Sequence, residues 1–237
     1  MPRLFVDLEL RQGARLALPA GAAHHAARVL RLRDGDPVVL FDGRGGEYAA
    51  HLYMPGRGHA VAEVGARRDI ERESPLAVTL VQAVSSGEKM DFTIQKAVEL
   101  GVAAIQPVLA EKSVVRLSAE REGKRLAHWR RVAIAACEQC GRNRIPDIAA
   151  PLPLERYRAK EESSKILLSP DGVARLAGLG KGPVTLAAGP EAGFSTEEEL
   201  MLRSAGFRPV RLGPRILRTE TAALAALAAL NALQGDF

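Results

Sequence analysis

The chain has 237 residues, 47% of them hydrophobic and 26% charged, with a formal net charge of +5. These totals exclude a disordered or fibrous polypeptide and leave room for one large domain or two modest ones. Two cysteines and 4% aromatic residues exclude a disulfide-built scaffold and require a core of Leu, Val, Ile and Ala.

Met1-Pro2-Arg3-Leu4-Phe5-Val6 has no signal-peptide layout, and no apolar run approaches the roughly 18 residues of a membrane span. A cytoplasmic protein is expected, with no membrane partner. Residues 3–8, 37–41, 48–53 and 60–64 are short alternating segments. The turn signals Asp34-Gly35-Asp36, Asp42-Gly43-Arg44-Gly45-Gly46 and Pro55-Gly56-Arg57-Gly58 separate them. That spacing predicts a small β-barrel or meander. One helical insert, residues 22–32, carries His24, His25, Arg28 and Arg31, with Arg33 just beyond it and no acid among them. An isolated arginine is usually a solvated group, but an acid-free cluster favours a polyanionic partner. Residues 67–75 read as a charged linker closed by Pro75, which places one domain over 1–72 and a second over 73–237.

From Leu76 the pattern alternates between strands and helices, which predicts an α/β domain with a mostly parallel sheet. Residues 76–84 form an apolar strand. Asp91 is placed to cap a helix that buries Ile94, Ala97 and Val98 and stops at Gly101. Residues 105–109 form the next strand. Ser118 opens a long helix with Leu126, Trp129, Ala133 and Cys137 on its apolar stripe, stopped by Gly141 and Pro146. Cys137 and Cys140 lie within that helix, without a second Cys/His pair at ligand spacing, so they read as unlinked thiols and no metal is expected. Residues 165–168 form another strand. Ser195 and Glu198 make a capping box that fixes the start of a later helix.

The last third carries two glycine-containing loops. Gly189-Pro190-Glu191-Ala192-Gly193-Phe194 follows the apolar run 184–188, and Leu212-Gly213-Pro214-Arg215-Ile216-Leu217-Arg218-Thr219-Glu220-Thr221 follows the run 209–212. Two such loops at the carboxyl ends of strands in one sheet are where an α/β domain binds a small ligand. Neither fits the G-x-G-x-x-G or Walker pattern, which disfavours a nicotinamide cofactor and a nucleoside triphosphate. Arg215, Arg218, Thr219 and Glu220 crowd the start of a helix that is otherwise almost wholly Ala and Leu. Cations there oppose the macrodipole, which hints at an anionic ligand or transition state, with a surface Arg–Glu pair as the alternative.

Four motifs in order resemble the bacterial 16S ribosomal-RNA uridine-N3 methyltransferases. They are Met90-Asp91-Phe92-Thr93-Ile94-Gln95-Lys96-Ala97-Val98-Glu99-Leu100-Gly101, Glu138-Gln139-Cys140-Gly141-Arg142, Gly189-Pro190-Glu191-x-Gly193, and Leu212-Gly213-x-Arg215-Ile216-Leu217-Arg218-Thr219-Glu220-Thr221-Ala222. His25-x-x-Arg28-Val29-Leu30-Arg31 matches that family's RNA-binding, PUA-like domain, so the resemblance spans nearly the whole chain. Ala192 departs from it, standing where the family commonly has a second glycine.

The resemblance implies a SPOUT-type α/β methyltransferase domain with a trefoil knot, preceded by a PUA-like β-barrel. It implies S-adenosylmethionine as cofactor, held by the loop after Leu168, by Gly189, Pro190, Glu191 and Gly193, and by Leu212, Gly213, Ile216, Leu217, Arg218, Thr219 and Ala222. It also implies 16S rRNA in the small ribosomal subunit as substrate, and a homodimer. The stripe Leu224, Leu227, Leu230 and Leu233 suits either that dimer contact or burial against its own sheet. Methylation at N3 needs loss of a proton. Arg218 is the expected charge stabiliser and Glu138 a candidate acceptor, with loss to solvent left open. Arg3, Arg28, Arg31 and Arg33 on the barrel, with Arg142 and Arg144, are expected to contact RNA. A knotted methyltransferase acting on tRNA or another rRNA site, and a non-catalytic dimeric RNA-binding protein, remain the alternatives.

Overall fold

The computed structural model describes residues 1–56, 59–113, 119–178 and 182–237. The expected helix start at Ser118 and the Arg57-Gly58 half of one predicted turn lie outside the described residues. The chain divides into one unit of Met1–Glu73 with Ile134–Ile145 and another of Ser74–Ala133 with Pro146–Phe237. A boundary after residue 72 leaves 134–145 with the other unit, because helical periodicity runs through residue 134 without a break.

The first unit contains β1 (Arg3–Phe5), β2 (Arg15–Ala17), α1 (Ala20–His24), β3 (Pro37–Phe41), β4 (Glu47–Gly56) and β5 (His59–Arg68). The sheet order is β1-β3-β4-β5-β2, with β1 parallel to β3 and the other neighbours antiparallel. Alternation turns Leu4, Leu40, Leu52 and Ala62 onto one core. Arg67 and Arg68, expected in a linker, instead extend β5. Arg68 lies in register with Glu47 and pairs with it at 2.8 Å, so the strand continues as far as its cross-strand charge partner. The insert begins as an α-helix and passes into a π-helical turn, His25–Val29, which Leu30 closes by donating its N–H to the His25 carbonyl at 3.0 Å. Arg31 follows with φ 53°, a left-handed conformation rare outside glycine.

The second unit holds β6 (Val78–Ala83), α2 (Gly87–Glu99), β7 (Ala104–Leu109), most of α3 (Ala119–Cys140), then β8 (Asp147–Ile148) and β9 (Leu152–Pro153). It continues with β10 (Ser164–Leu168), β11 (Val184–Ala188), α4 (Thr196–Ser204), β12 (Arg208–Val210) and α5 (Thr219–Gln234). Every pairing is parallel, in the order β12-β10-β11-β6-β7-β8, with β9 also on β7. All five residues of β11 are buried, the near-continuous apolar run of a strand covered on both faces.

Asp91 does not cap α2. The helix begins at Gly87 after Ser86, because Met90 is fully buried and extends the apolar face one turn back. Asp91 is instead in the helix interior, 2.7 Å from His128 of α3. The two thiols are unlinked, as expected. Cys137 is buried, donates weakly to the Arg144 carbonyl, and burial pushes its pKa up to about 12, which makes it unreactive. On α5, Leu227 and Leu230 are buried within this chain while Leu233 is exposed, so the leucine stripe is divided. Among the described residues no helix is long and apolar enough to cross a membrane.

Trp129 of α3 is the largest fully buried side chain. Trp129→Ala is expected to cost about 3–5 kcal/mol, read as a lowered denaturation midpoint at unchanged slope.

Candidate active site

β10 lies between β11 and β12 in the sheet although it precedes both in sequence. The chain leaving β11 must therefore cross β10 to reach β12, and the three carboxyl ends open onto one place. There the described residues form a cleft. Its walls are Leu168, Ser169 and Pro170 after β10, residues 188–191 with Gly193 and Phe194 after β11, and residues 210–212, 215–217, Thr219 and Ala222 after β12. Glu199 of α4 completes it.

Hydrogen bonds hold these loops. The turn after β11 closes when Gly193 donates its N–H to the Pro190 carbonyl at 2.9 Å, with Gly193 at φ 72°. A Cβ at Gly189 would lie 3.1 Å from the Phe194 nitrogen, so only glycine lets the loop curl back without a shift. The capping box is present as expected: the Glu198 N–H donates to Ser195 Oγ, and the Ser195 N–H donates to Glu198 Oε2. Thr219 Oγ1 donates to the Gly189 carbonyl at 2.5 Å and ties the start of α5 to the β11 loop. Ser169 donates its N–H to the Val210 carbonyl, and Arg211 donates to the Ala174 carbonyl. A Cβ on Gly172 would lie 2.6 Å from the carbonyl carbon of Val210, so the loop after β10 is pressed against the chain leaving β12.

Two carboxylates line the cleft. Burial works to raise the Glu191 carboxyl, but its own backbone N–H and the Lys89 ammonium, 3.0 Å away, carry it below the ordinary range. Glu199 pairs with Arg203 one turn along α4. Of the residues expected to hold a cofactor, Leu168, Gly189, Pro190, Glu191, Gly193, Leu212, Ile216, Leu217, Thr219 and Ala222 all line this cleft. Gly213 and Arg218 do not. Arg218 is the N-cap residue of α5, exposed and without an ion pair among the described residues, so the helix starts later than Arg215. Phe194, Glu199 and Arg211 line the cleft without having been expected there. Phe194 adjoins a motif glycine and was legible, whereas Glu199 enters only because α4 turns that face inward.

In the first unit the arginines fall into two groups. Arg28, Arg31 and Arg33 are exposed, with no acid partner for their side chains among the described residues. Arg144 is half-exposed and pairs with Glu71 at 3.3 Å. Arg3 and Arg142, expected to contact RNA, are both engaged by acids within this unit. Arg3 bonds Glu47 and Asn143, each at 2.5 Å, and stacks on Phe41. Arg142 is 4% exposed and grips the Glu73 carboxylate. Buried arginines need a nearby acid, so both charges are already answered inside the protein. Glu138 accepts the Phe5 N–H on Oε1 at 2.9 Å, and it is not among the cleft residues. Among the described residues no cluster of His, Cys, Asp or Glu is arranged to hold a metal.

Comparison with known proteins bears on both units. A family model described as an RNA methyltransferase domain matches residues 72–231, and one described as an RNA methyltransferase PUA domain matches 18–65. Ribosomal RNA small subunit methyltransferase E of Buchnera aphidicola (from Schizaphis graminum) is 35% identical, over 100% of this chain and 98% of that protein. The protein of the same name from Bacillus subtilis is 31% identical over the full length of both. A ribosomal RNA small subunit methyltransferase E from Neisseria gonorrhoeae, solved bound to S-adenosylmethionine, superposes with a TM-score of 0.93 at 41% identity, covering 100% of this chain and 99% of that one. A Legionella pneumophila protein described as a methyltransferase, solved with the same cofactor bound, has a TM-score of 0.96 at 38% identity, covering 99% and 98%.

Burial raises the Glu138 carboxyl, more than the Phe5 N–H and the charges of His25 and Arg3 lower it. A raised folded value means that its stabilising contribution is full below about 4.5 and is lost as pH rises through that folded value. Glu138→Gln keeps an acceptor for Phe5 and cannot ionise. Its unfolding free energy is expected to gain on the unaltered chain as pH rises from 4 to 8, measured by denaturant titration at each pH.

Proposed function

The chain belongs to the RNA methyltransferase family, in the group of the ribosomal RNA small subunit methyltransferase E proteins, and on that premise we propose that it methylates N3 of a uridine in 16S rRNA. The donor in this reading is S-adenosylmethionine. The observation that carries it is the convergence of nearly all the expected cofactor residues on one cleft at three strand ends.

The cleft suits that molecule. Gly193 lines it, and a Cβ built there meets nothing within 4 Å, so this stretch of the rim is bare backbone. Phe194, Leu212 and Leu217 offer apolar surface for a nucleobase. Arg211 and Arg215 offer charge to a carboxylate, and Glu191 and Glu199 offer acceptors to hydroxyl or ammonium groups. When bound, the cofactor supplies a methyl group activated on a sulfonium sulfur.

The protein's own work falls on the uracil. Neutral uracil carries a proton on N3, at the base-pairing edge, so that edge must be exposed before N3 can react. Once the N3 proton leaves to solvent, the nitrogen's electron pair can take the methyl group as its bond to sulfur breaks, that bond's electrons staying on sulfur. Arg218 is the residue we assign to the negative charge developing on the ring oxygens; it is an exposed guanidinium, unpaired among the described residues, beside Leu217 and Thr219 of the cleft. Glu138 is not retained as proton acceptor, since it is not among the residues that line the cleft. Arg28, Arg31 and Arg33, on the PUA-like unit, are the cations assigned to RNA phosphates.

Three further elements belong to the same reading. The press of Gly172 on Val210 supports threading of the β12 chain through the loop after β10, as in a trefoil knot. Exposed Leu233 supports a homodimer contact on α5. Cytoplasmic assembled small subunits are the place where this substrate is met.

Incubation with unmodified small ribosomal subunits, followed by mass mapping, is expected to show one added methyl group on a single uridine of 16S rRNA, blocking its pairing edge. A methyl group found only on tRNA sinks the substrate assignment. Arg218→Ala is expected to slow single-turnover methylation by roughly 10²–10³ with cofactor affinity retained. Arg28→Ala is expected to weaken RNA binding and flatten the log–log salt slope by about 0.7–0.9.

A further inference from the structure

We propose that Gln82, which does not line the cleft, is a positioning residue for cofactor binding, acting through the hydroxyl of Thr219. The inference rests on the reading of the cleft as the S-adenosylmethionine site.

Gln82 is the penultimate residue of β6, in register with Ala188 of β11, one residue before the loop glycine Gly189. It is 1% exposed, an unusual place for a carboxamide in a parallel sheet whose other central residues are mostly apolar. Its Nε2 donates to the Ala83 carbonyl at 3.2 Å and to Thr219 Oγ1 at 3.1 Å. The Ala83 carbonyl only accepts, so the nitrogen must face that way and the amide orientation is determined. Thr219 Oγ1 therefore accepts from Gln82, and its own proton is committed to the Gly189 carbonyl at 2.5 Å. Thr219 is 8% exposed, so solvent offers its hydroxyl little alternative.

The result is a relay of two hydrogen bonds through three separate segments: the end of β6, the first residue of α5 and the start of the β11 loop. Two of those segments form walls of the cleft. The other end of the side chain carries a cost. Gln82 Oε1 is buried without a partner among the described residues, a cost that methionine or leucine of similar size would avoid. What the amide contributes in return is its donor. Without it, the threonine hydroxyl loses the partner that turns its proton toward Gly189, and the two walls lose their common anchor.

The test is calorimetric titration of S-adenosylmethionine into the full chain and its variants, with melting temperatures recorded beside it. Gln82→Met, of similar length but without the donor, is expected to weaken binding roughly tenfold, and to raise KM for the cofactor much more than it lowers kcat. Thr219→Val is expected to lose a similar factor, and Thr219→Ser, which keeps the hydroxyl, to recover most of it. The double variant Gln82→Met/Thr219→Val is expected to be no weaker than the poorer single one, because both break the same relay. Gln82→Leu, which also lacks the donor, takes the place of Gln82→Met if that variant does not fold. A Gln82 variant that melts earlier but binds the cofactor as tightly as the unaltered chain overturns the positioning role and leaves only packing. Fully multiplicative losses in the double variant overturn the relay. Failure of the unaltered chain to bind S-adenosylmethionine overturns the cofactor reading, and this assignment with it.

Discussion

The second unit depends on the position of one strand. β10 pairs with β11 on one side and β12 on the other, all parallel, so two consecutive later strands flank an earlier one. Parallel pairing puts all three carboxyl ends at the same edge, and the crossing of β10 gathers their loops there. Glycines 189, 193 and 172 then act at close quarters: one lets the loop curl back on Phe194, one sits at positive φ, and one lies against the backbone of Val210. A cleft with so much main chain in its walls follows from strand order before any side chain is chosen.

Polar bonds then fix what strand order only brings near. Thr219 spans from α5 to Gly189, Ser195 and Glu198 cap α4, and Glu198 also accepts the Glu111 N–H with its other oxygen at 2.8 Å. Lys89 of α2 reaches Glu191 from a helix far away in sequence. Each bond is modest alone, but buried polar groups that answer one another leave the loops few alternative arrangements. Rigid walls of this kind suit a ligand read by backbone atoms, since main-chain donors and acceptors cannot adjust by changing rotamer.

The first unit sorts its positive charge in a comparable way. Glu47 is 3% exposed, and Arg3, Arg68 and Arg72 converge on it. Burial alone would raise the Glu47 carboxyl, but the hydrogen bond and charge of Arg3, with help from Arg72 and Asn143, hold it below the ordinary range. Those arginines are part of the fold. Arg28 lies in the π-helical turn and Arg31 and Arg33 follow it, without such partners among the described residues, and Arg31 adopts a backbone conformation that a non-glycine residue enters at some cost. A net charge of +5 therefore understates how unevenly cations are available to a polyanion.

What the sequence determined by itself was local or carried by motif. β11 was legible to the residue because a fully buried parallel strand is a near-continuous apolar run, and the start of α4 because Ser195 and Glu198 are three apart. The two glycine loops located the cleft, since glycine spacing is itself sequence information. Tertiary structure decided whatever depended on a partner distant in the chain. Whether Arg142 is free or gripped depends on Glu73, whether Glu138 holds the Phe5 N–H depends on a strand 133 positions away, and whether Glu199 enters the cleft depends on which face α4 turns inward. Gln82 shows the same limit most sharply: its spacing marks only a polar residue in an apolar strand, and its partner is 137 positions away. Hydrogen bonds and ion pairs act over about 3 Å of space and are indifferent to distance along the chain, so only the fold could assign them.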